Sequence, residues 1–222
     1  MSLRKVGFIK GEYYHLYNRG NSKQKIFHDD EDYLRFISLF FISNTSENFN
    51  LYDLNRIHNF NVYELEIKNQ IVSIGAYCLM PNHFHILITE KVEGGISKFM
   101  QKLSTAYAMY YNKKYNHTGG LFEGKFKSVH IEDDIQIKYL FSYIHLNPIK
   151  LIQKDWKENN IKDKKQALQY LEGYSYSSYK DFLLEERLQR KILNLEAFPN
   201  YFHTKEKFNK EIIEWLSYGT LR

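Results

Sequence analysis

Two histidines one residue apart, His83 and His85, lie in the run Pro81-Asn82-His83-Phe84-His85-Ile86-Leu87-Ile88-Thr89. In an extended strand alternate side chains share a face, so both imidazoles point one way and Phe84, Ile86 and Ile88 the other. Two neutral imidazoles side by side are good ligands for a first-row divalent ion. A bare His-x-His pair describes equally well two partly buried histidines on an ordinary strand, so a metal site needs a further donor. Tyr143 and Asn147 stand four apart in Tyr143-Ile144-His145-Leu146-Asn147-Pro148, one above the other on a helix. A carboxamide oxygen can complete a two-histidine site, and a phenol one turn away would lie close to the ion. Taken alone, Asn147 reads as a helix cap and Tyr143 as one more packed aromatic.

The elements that must hold these groups follow from periodicity. Residues 12–19 alternate as a first strand, and Gly20-Asn21-Ser22 ends it. Asp29 or Asp30 can cap a helix with the apolar stripe Tyr33, Phe36, Ile37, Phe40 and Phe41. Residues 44–70 are rich in asparagine and read as a loop or an excursion with a short helix or hairpin. Ile71 to Met80 suits a strand, and Met80-Pro81-Asn82 turns it antiparallel into the histidine strand. After Gly94-Gly95 a helix carries Ile96, Phe99, Met100, Leu103, Tyr107 and Tyr110 on one side and ends near Asn116. Gly119, Gly120 and Gly124 mark a flexible crossing into a strand from Ser128 to Ile131. Asp133 or Asp134 opens the helix that carries Ile137, Leu140, Phe141 and Ile144 on its buried stripe, and Pro148 stops it near Asn147. This order predicts an α+β domain, an antiparallel sheet with helices packed on one face and the histidine face uncovered. A core over residues 1–150 is expected, with a charged C-terminal helical extension over 151–222 that includes a last helix near 206–217.

Composition narrows the partners. The 222 residues are 43% hydrophobic and 26% charged, which is globular and too apolar for disorder. Formal net charge is +5 and the pI about 9.0, which favours a polyanion. The aromatic share of 17% supplies core and also groups that stack on unpaired bases. Cys78 is the single cysteine, so an internal disulfide and a thiolate-rich zinc site are excluded, and a reducing cytosol fits. The sequence starts with charged residues and has no apolar signal core or membrane-length stretch, so a soluble cytoplasmic protein is expected.

The run Cys78-Leu79-Met80-Pro81-Asn82-His83-Phe84-His85, followed much later by Tyr143-Ile144-His145-Leu146-Asn147-Pro148, resembles the single-tyrosine HUH transposases, and more closely their REP-associated members. His15-Leu16-Tyr17-Asn18-Arg19-Gly20, Thr118 to Ser128 and Tyr176-Ser177-Ser178-Tyr179 agree, so five motifs keep their order over about residues 10–182. Phe122 stands where Trp is frequent, Lys125 where Arg is frequent, and the Tyr174–Tyr179 run replaces a more Trp-containing one. Residues 44–70 look like an insertion, and those beyond about 185 are not covered.

The resemblance implies a ferredoxin-like or RRM-like HUH endonuclease core that cleaves and rejoins single-stranded DNA at hairpin-bearing elements. It implies Tyr143 as the nucleophile forming a 5′-phosphotyrosine. It also implies His83, His85 and Asn147 as ligands of Mg²⁺ or Mn²⁺, and Asn18, Arg19, Lys125 and Lys127 as nucleic-acid contacts. Tyr139, one turn before Tyr143, is the rival nucleophile, whereas Tyr107 and Tyr110 fall on an apolar stripe. A non-catalytic binder of single-stranded DNA or RNA hairpins and a hydrolytic phosphodiesterase are the competing functions. Monomer and homodimer both remain open, because some relatives exchange the tyrosine helix between subunits.

Overall fold

The computed structural model describes residues 7–47, 61–183, 186–201 and 204–218. Alternation and turn chemistry produce a four-stranded antiparallel sheet of β1 (Tyr13–Arg19), β2 (Val72–Met80), β3 (His83–Glu90) and β4 (Lys127–Ile131). Its spatial order is β2-β3-β1-β4, so β1 lies between the histidine strand and β4. The two-residue link Pro81-Asn82 makes β2 and β3 a hairpin, as expected. Residues 48–60 of the expected insertion lie outside the described residues, and Val62–Glu64 forms a 3₁₀ turn.

One face of the sheet packs on α1 (Asp30–Ile42) and α2 (Gly95–Tyr115). Leu16, Tyr77, Phe84, Ile86 and Ile88 meet Phe36, Phe40, Phe99, Leu103 and Tyr107 there, all fully buried. Asp29 caps α1 by accepting from Asp32 N at 3.0 Å, with Asp30, Glu31 and Asp32 in the dipole-favoured first turn. The buried Asp32 carboxylate then ties the helices together. It accepts from Lys114 Nζ at 2.9 Å, the Tyr110 and Tyr115 hydroxyls at 2.9 and 2.8 Å, and the His28 amide at 2.8 Å. Tyr110 therefore leaves the apolar stripe expected for it, and Tyr111 takes its place in the core.

The second face departs from expectation. Rather than standing open, it is covered over β2 and part of β3 by α3 (Asp134–Leu146) and the C-terminal segment. That segment comprises α4 (Trp156–Asn159), α5 (Lys164–Gly173), α6 (Tyr179–Phe182) and α7 (Lys205–Tyr218), with 3₁₀ turns at Leu188–Ile192 and Leu195–Ala197 between the last two. Ala76, Cys78, Met80 and Leu87 from the sheet share one buried cluster with Phe141 and Ile144 of α3, and with Leu171, Tyr179, Phe182, Phe198 and Phe208. The extension also closes the outer edge of β2. Ser178 N donates to Tyr77 O at 3.0 Å, Leu79 N to Tyr176 O at 2.9 Å, and Asn194 N to Ile74 O at 3.0 Å. The Tyr176-Ser177-Ser178-Tyr179 motif is thus an edge-strand cover, removing a row of unpaired backbone groups. The histidine face stays accessible only where β1, β3 and β4 run beside α3.

Candidate active site

Strand register assembles the first part of the site. Tyr17 stands opposite His85 and Arg19 opposite His83, so His15, Tyr17 and Arg19 share the histidine face. His85 Nδ1 lies 2.8 Å from His15 Nε2, and His83 Nδ1 lies 2.6 Å from the amide oxygen of Asn82. With each Nδ1 carrying the proton for its bond, both Nε2 atoms keep their lone pairs, the arrangement in which an outer partner orients a metal-binding imidazole. Burial pushes His15 down to about 4. His83 falls to about 4 through burial, then the Lys150 and Arg19 charges, and His85 falls well below its usual range for the same kind of reasons. All three rings are therefore neutral near pH 7.

Helix α3 supplies the second part. Asp133 caps it by accepting from Gln136 N at 2.7 Å, and the Ile137, Leu140, Phe141 and Ile144 stripe seats it on the sheet. That seating turns Tyr143 toward the histidines. Its ring centroid is 5.4 Å from that of His85 and 5.8 Å from that of His15, edge to face in both cases. Burial pushes the Tyr143 phenol up, and the Asn147 amide partly offsets it. Asn147 ends the helix almost fully buried, its Nδ2 donating to Tyr143 O at 2.8 Å. Its Oδ1 is buried with no protein partner. A buried amide oxygen without a donor costs free energy unless something else engages it.

His15, Tyr17, His85, Gln136, Tyr139 and Tyr143 line an open cleft at this point. The ammonium of Lys157 lies 4.2 Å from the Tyr143 ring centroid, and that of Lys150 lies 5.9 Å away. Among the described residues, no group of three or more His, Cys, Asp or Glu side chains could hold a metal ion. An ion at the histidine pair would take its further donors from outside those four residue types.

The family described as "Transposase IS200 like", the single-tyrosine transposases, matches residues 9–147, well over half the chain. The chain belongs to that family. Among solved structures, this transposase family member is similar to a REP-associated tyrosine transposase bound to a REP hairpin, at 13% identity, covering 85% of this chain and 90% of that one, with a TM-score of 0.49. A structure described as a transposase of Deinococcus radiodurans matches at 14% identity over 63% of this chain and 93% of its own, with a TM-score of 0.35. The tRNA(His) guanylyltransferase of Saccharomyces cerevisiae matches at 13% identity over 91% and 87%, with a TM-score of 0.38. At these scores the likenesses decide nothing about chemistry. No curated protein matches the chain. Among the described residues, no helix of the family member is long and apolar enough to cross a membrane.

The residues expected to touch nucleic acid separate. Lys125 and Lys127 are exposed on the crossing and at the start of β4. Arg19 is half exposed beside His83 and forms a forked ion pair with Glu123. Asn18 is buried on the opposite face, its Nδ2 donating to Gly124 O at 3.2 Å, where it positions the crossing. Tyr139, the rival nucleophile, packs at a tilt against Trp215 at 5.0 Å and Tyr143 at 5.9 Å, one turn before Tyr143 on α3. His145 is fully buried, with Nε2 2.8 Å from Ser178 Oγ, which makes it a tie between α3 and the extension. His15, which the sequence alone allows at the site with a structural role by default, lies against His85, as its parity with Tyr17 and Arg19 suggests. Lys150 and Lys157 reach Tyr143 from a segment with no readable periodicity.

Proposed function

We propose that this family member is a single-strand DNA nicking and joining enzyme of the REP-associated kind, with Tyr143 as nucleophile. The observation that carries the reading is the approach of the Tyr143 ring to His85 on the face that also holds His83. Within one turn of it lies a buried amide oxygen that no protein group satisfies.

The donors present fit a divalent ion. His83 Nε2, His85 Nε2 and Asn147 Oδ1 would hold Mg²⁺ or Mn²⁺, a neutral nitrogen and oxygen set suited to these ions. Bound there, such an ion supplies Lewis-acid stabilisation to a phosphoryl oxygen. The chain's own part is positioning, which dominates phosphoryl transfer. Tyr143 Oη attacks phosphorus, the Oη–P bond forms and the P–O3′ bond breaks, leaving a 5′-phosphotyrosine and a free 3′-hydroxyl. The phenolic proton passes to water, and the departing 3′-oxygen takes one from solvent. Because burial raises the phenol, the proton is lost during attack and not before it. A 3′-hydroxyl from a second strand reverses the same bonds, so no nucleotide cofactor is consumed. Hairpin-bearing single strands are the substrate that the ordered motifs of the REP-associated members support, with Arg19, Lys125 and Lys127 as backbone contacts.

The test is incubation with single-stranded oligonucleotides that carry a hairpin, with Mn²⁺ or with chelator, resolved on denaturing gels. A covalent protein–DNA band that requires metal and is lost in Tyr143→Phe is expected. Equal adduct from Tyr143→Phe removes the nucleophile assignment. Hairpin binding that persists in chelator, with no cleavage under any metal, would favour the non-catalytic binder.

A further inference from the structure

Two lysines that lie outside the matched family segment converge on the candidate nucleophile. Lys157 is half buried on α4, which Trp156 anchors by inserting into the second core. Its Nζ lies over the Tyr143 ring, 4.2 Å from the centroid, while Lys150 Nζ approaches the same ring to 5.9 Å. The histidines press on the same ring from β1 and β3, at 5.8 and 5.4 Å. Tyr143 is therefore held between neutral imidazoles and ammonium groups.

Burial and then Lys150 lower Lys157 to about 8, with Glu158 acting in the opposite direction. Both ammonium groups approach the one ring whose hydroxyl would meet the phosphorus, and an anion entering at the tyrosyl oxygen would lie within reach of each.

We propose that Lys150 and Lys157, supplied by the segment after the family core, form the binding subsite for the DNA phosphodiester that Tyr143 attacks. The inference rests on the function proposed above and deepens it. Lysine suits the task as a compact charge on a long stem, able to follow a phosphate from its approach to its tyrosine-linked form. The structural alternative is that Lys157 only clamps the aromatic ring. A clamp would not alter how DNA binding depends on salt, whereas a phosphate contact must.

The experiment measures binding of a fluorescent DNA hairpin with single-stranded flanks across a salt series, in chelator and in a Tyr143→Phe background, so that neither metal nor chemistry contributes. Lys157→Gln and Lys150→Gln are each expected to reduce the slope of log K against log salt by about 0.7–0.9, the release from one phosphate. Lys157→Arg should keep the slope, which separates charge from packing. Lys113→Gln, exposed on α2 across the sheet, should also keep it. An unchanged slope in both glutamine variants, with binding otherwise intact, overturns the subsite and leaves the proposed function standing. Failure of every variant and the parent to bind the hairpin at low salt overturns both.

Discussion

The contact between His15 and His85 makes a quantitative claim, because His85 is almost fully buried and the 2.8 Å bond is the one that fixes its ring. In the tautomer that donates from Nδ1, replacing His15 with Ala leaves that proton of His85 without its acceptor. Leaving such a buried donor unsatisfied costs about 1–3 kcal/mol. The ring can escape by changing tautomer or by turning over, and either move withdraws the Nε2 lone pair from the side facing Tyr143. Divalent-ion affinity should then fall by about 5–150-fold at 1.4 kcal/mol per decade, a span that includes the 10–100-fold typical of lost outer partners. The assay is Mn²⁺ binding followed by the loss of the free-ion paramagnetic resonance signal, with hairpin DNA present in a Tyr143→Phe background. His85→Ala should abolish the site, His15→Ala should weaken it within that range, and His15→Gln should recover part of it through its amide oxygen. If His15→Ala binds Mn²⁺ as tightly as the parent while His85→Ala does not bind, the orienting role is refuted although the ligand assignment survives.

Asp32 gives a prediction away from the site. Burial alone would raise its carboxyl, but the His28 amide, Lys114, Tyr115 and Tyr110 outweigh burial and lower it. Its stabilisation is therefore complete above the unfolded carboxyl value near 4 and is lost as pH falls through the lower folded value. Asp32→Asn should cost about 3 kcal/mol at neutral pH, or roughly 6–12 °C in Tm for a chain of this size, with the gap to wild type shrinking below about pH 4. Denaturation curves that stay parallel from pH 7 to pH 3 would contradict this. A mixture of His85→Ala with Tyr143→Phe should form no more covalent adduct than either variant alone, because one chain supplies both groups. Restored adduct would show exchange of the tyrosine helix between subunits.

Much of the site was legible because two periods carry it. The alternation of two through Pro81–Thr89 put both imidazoles on one face, and the four-residue spacing of Tyr143 and Asn147 put them on one side of a helix whose stripe was plain. The same alternation, applied to β1, would have sent Asn18 to the opposite face from Tyr17, where it is found. The covered second face had its own signal. All nine residues of β2 are buried, and a nearly continuous apolar run such as Val72-Ser73-Ile74-Gly75-Ala76-Tyr77-Cys78-Leu79-Met80 marks a strand packed on both sides. What covers it was not readable, because Leu183 and Phe198 sit in short turns and bends with no period to detect. The approach of Lys157 to Tyr143 belongs to the same class, since it depends on how Trp156 is seated.

The packing of the extension bears on how the tyrosine helix can move. Only Glu132 and Asp133 separate β4 from α3, and a 3₁₀ turn (Asn147–Leu151) follows α3 directly. On the far side the chain returns to the sheet, where Ser178 and Tyr176 pair with β2 and Ser178 Oγ meets His145 of α3 itself. Helix α3 is thus fastened before, after and along its length to one chain's sheet. Exchanging it alone would need both flanking links to lengthen, and exchanging it with β4 would strip an edge strand from β1 and draw the β2 edge cover out of place. Loop closure over long connections is inexpensive, but these connections are short, and the groups they would expose are buried backbone donors and acceptors that pair nowhere else. A cover that evolved to close the edge of β2 would thereby also hold Tyr143 against the histidines of its own chain.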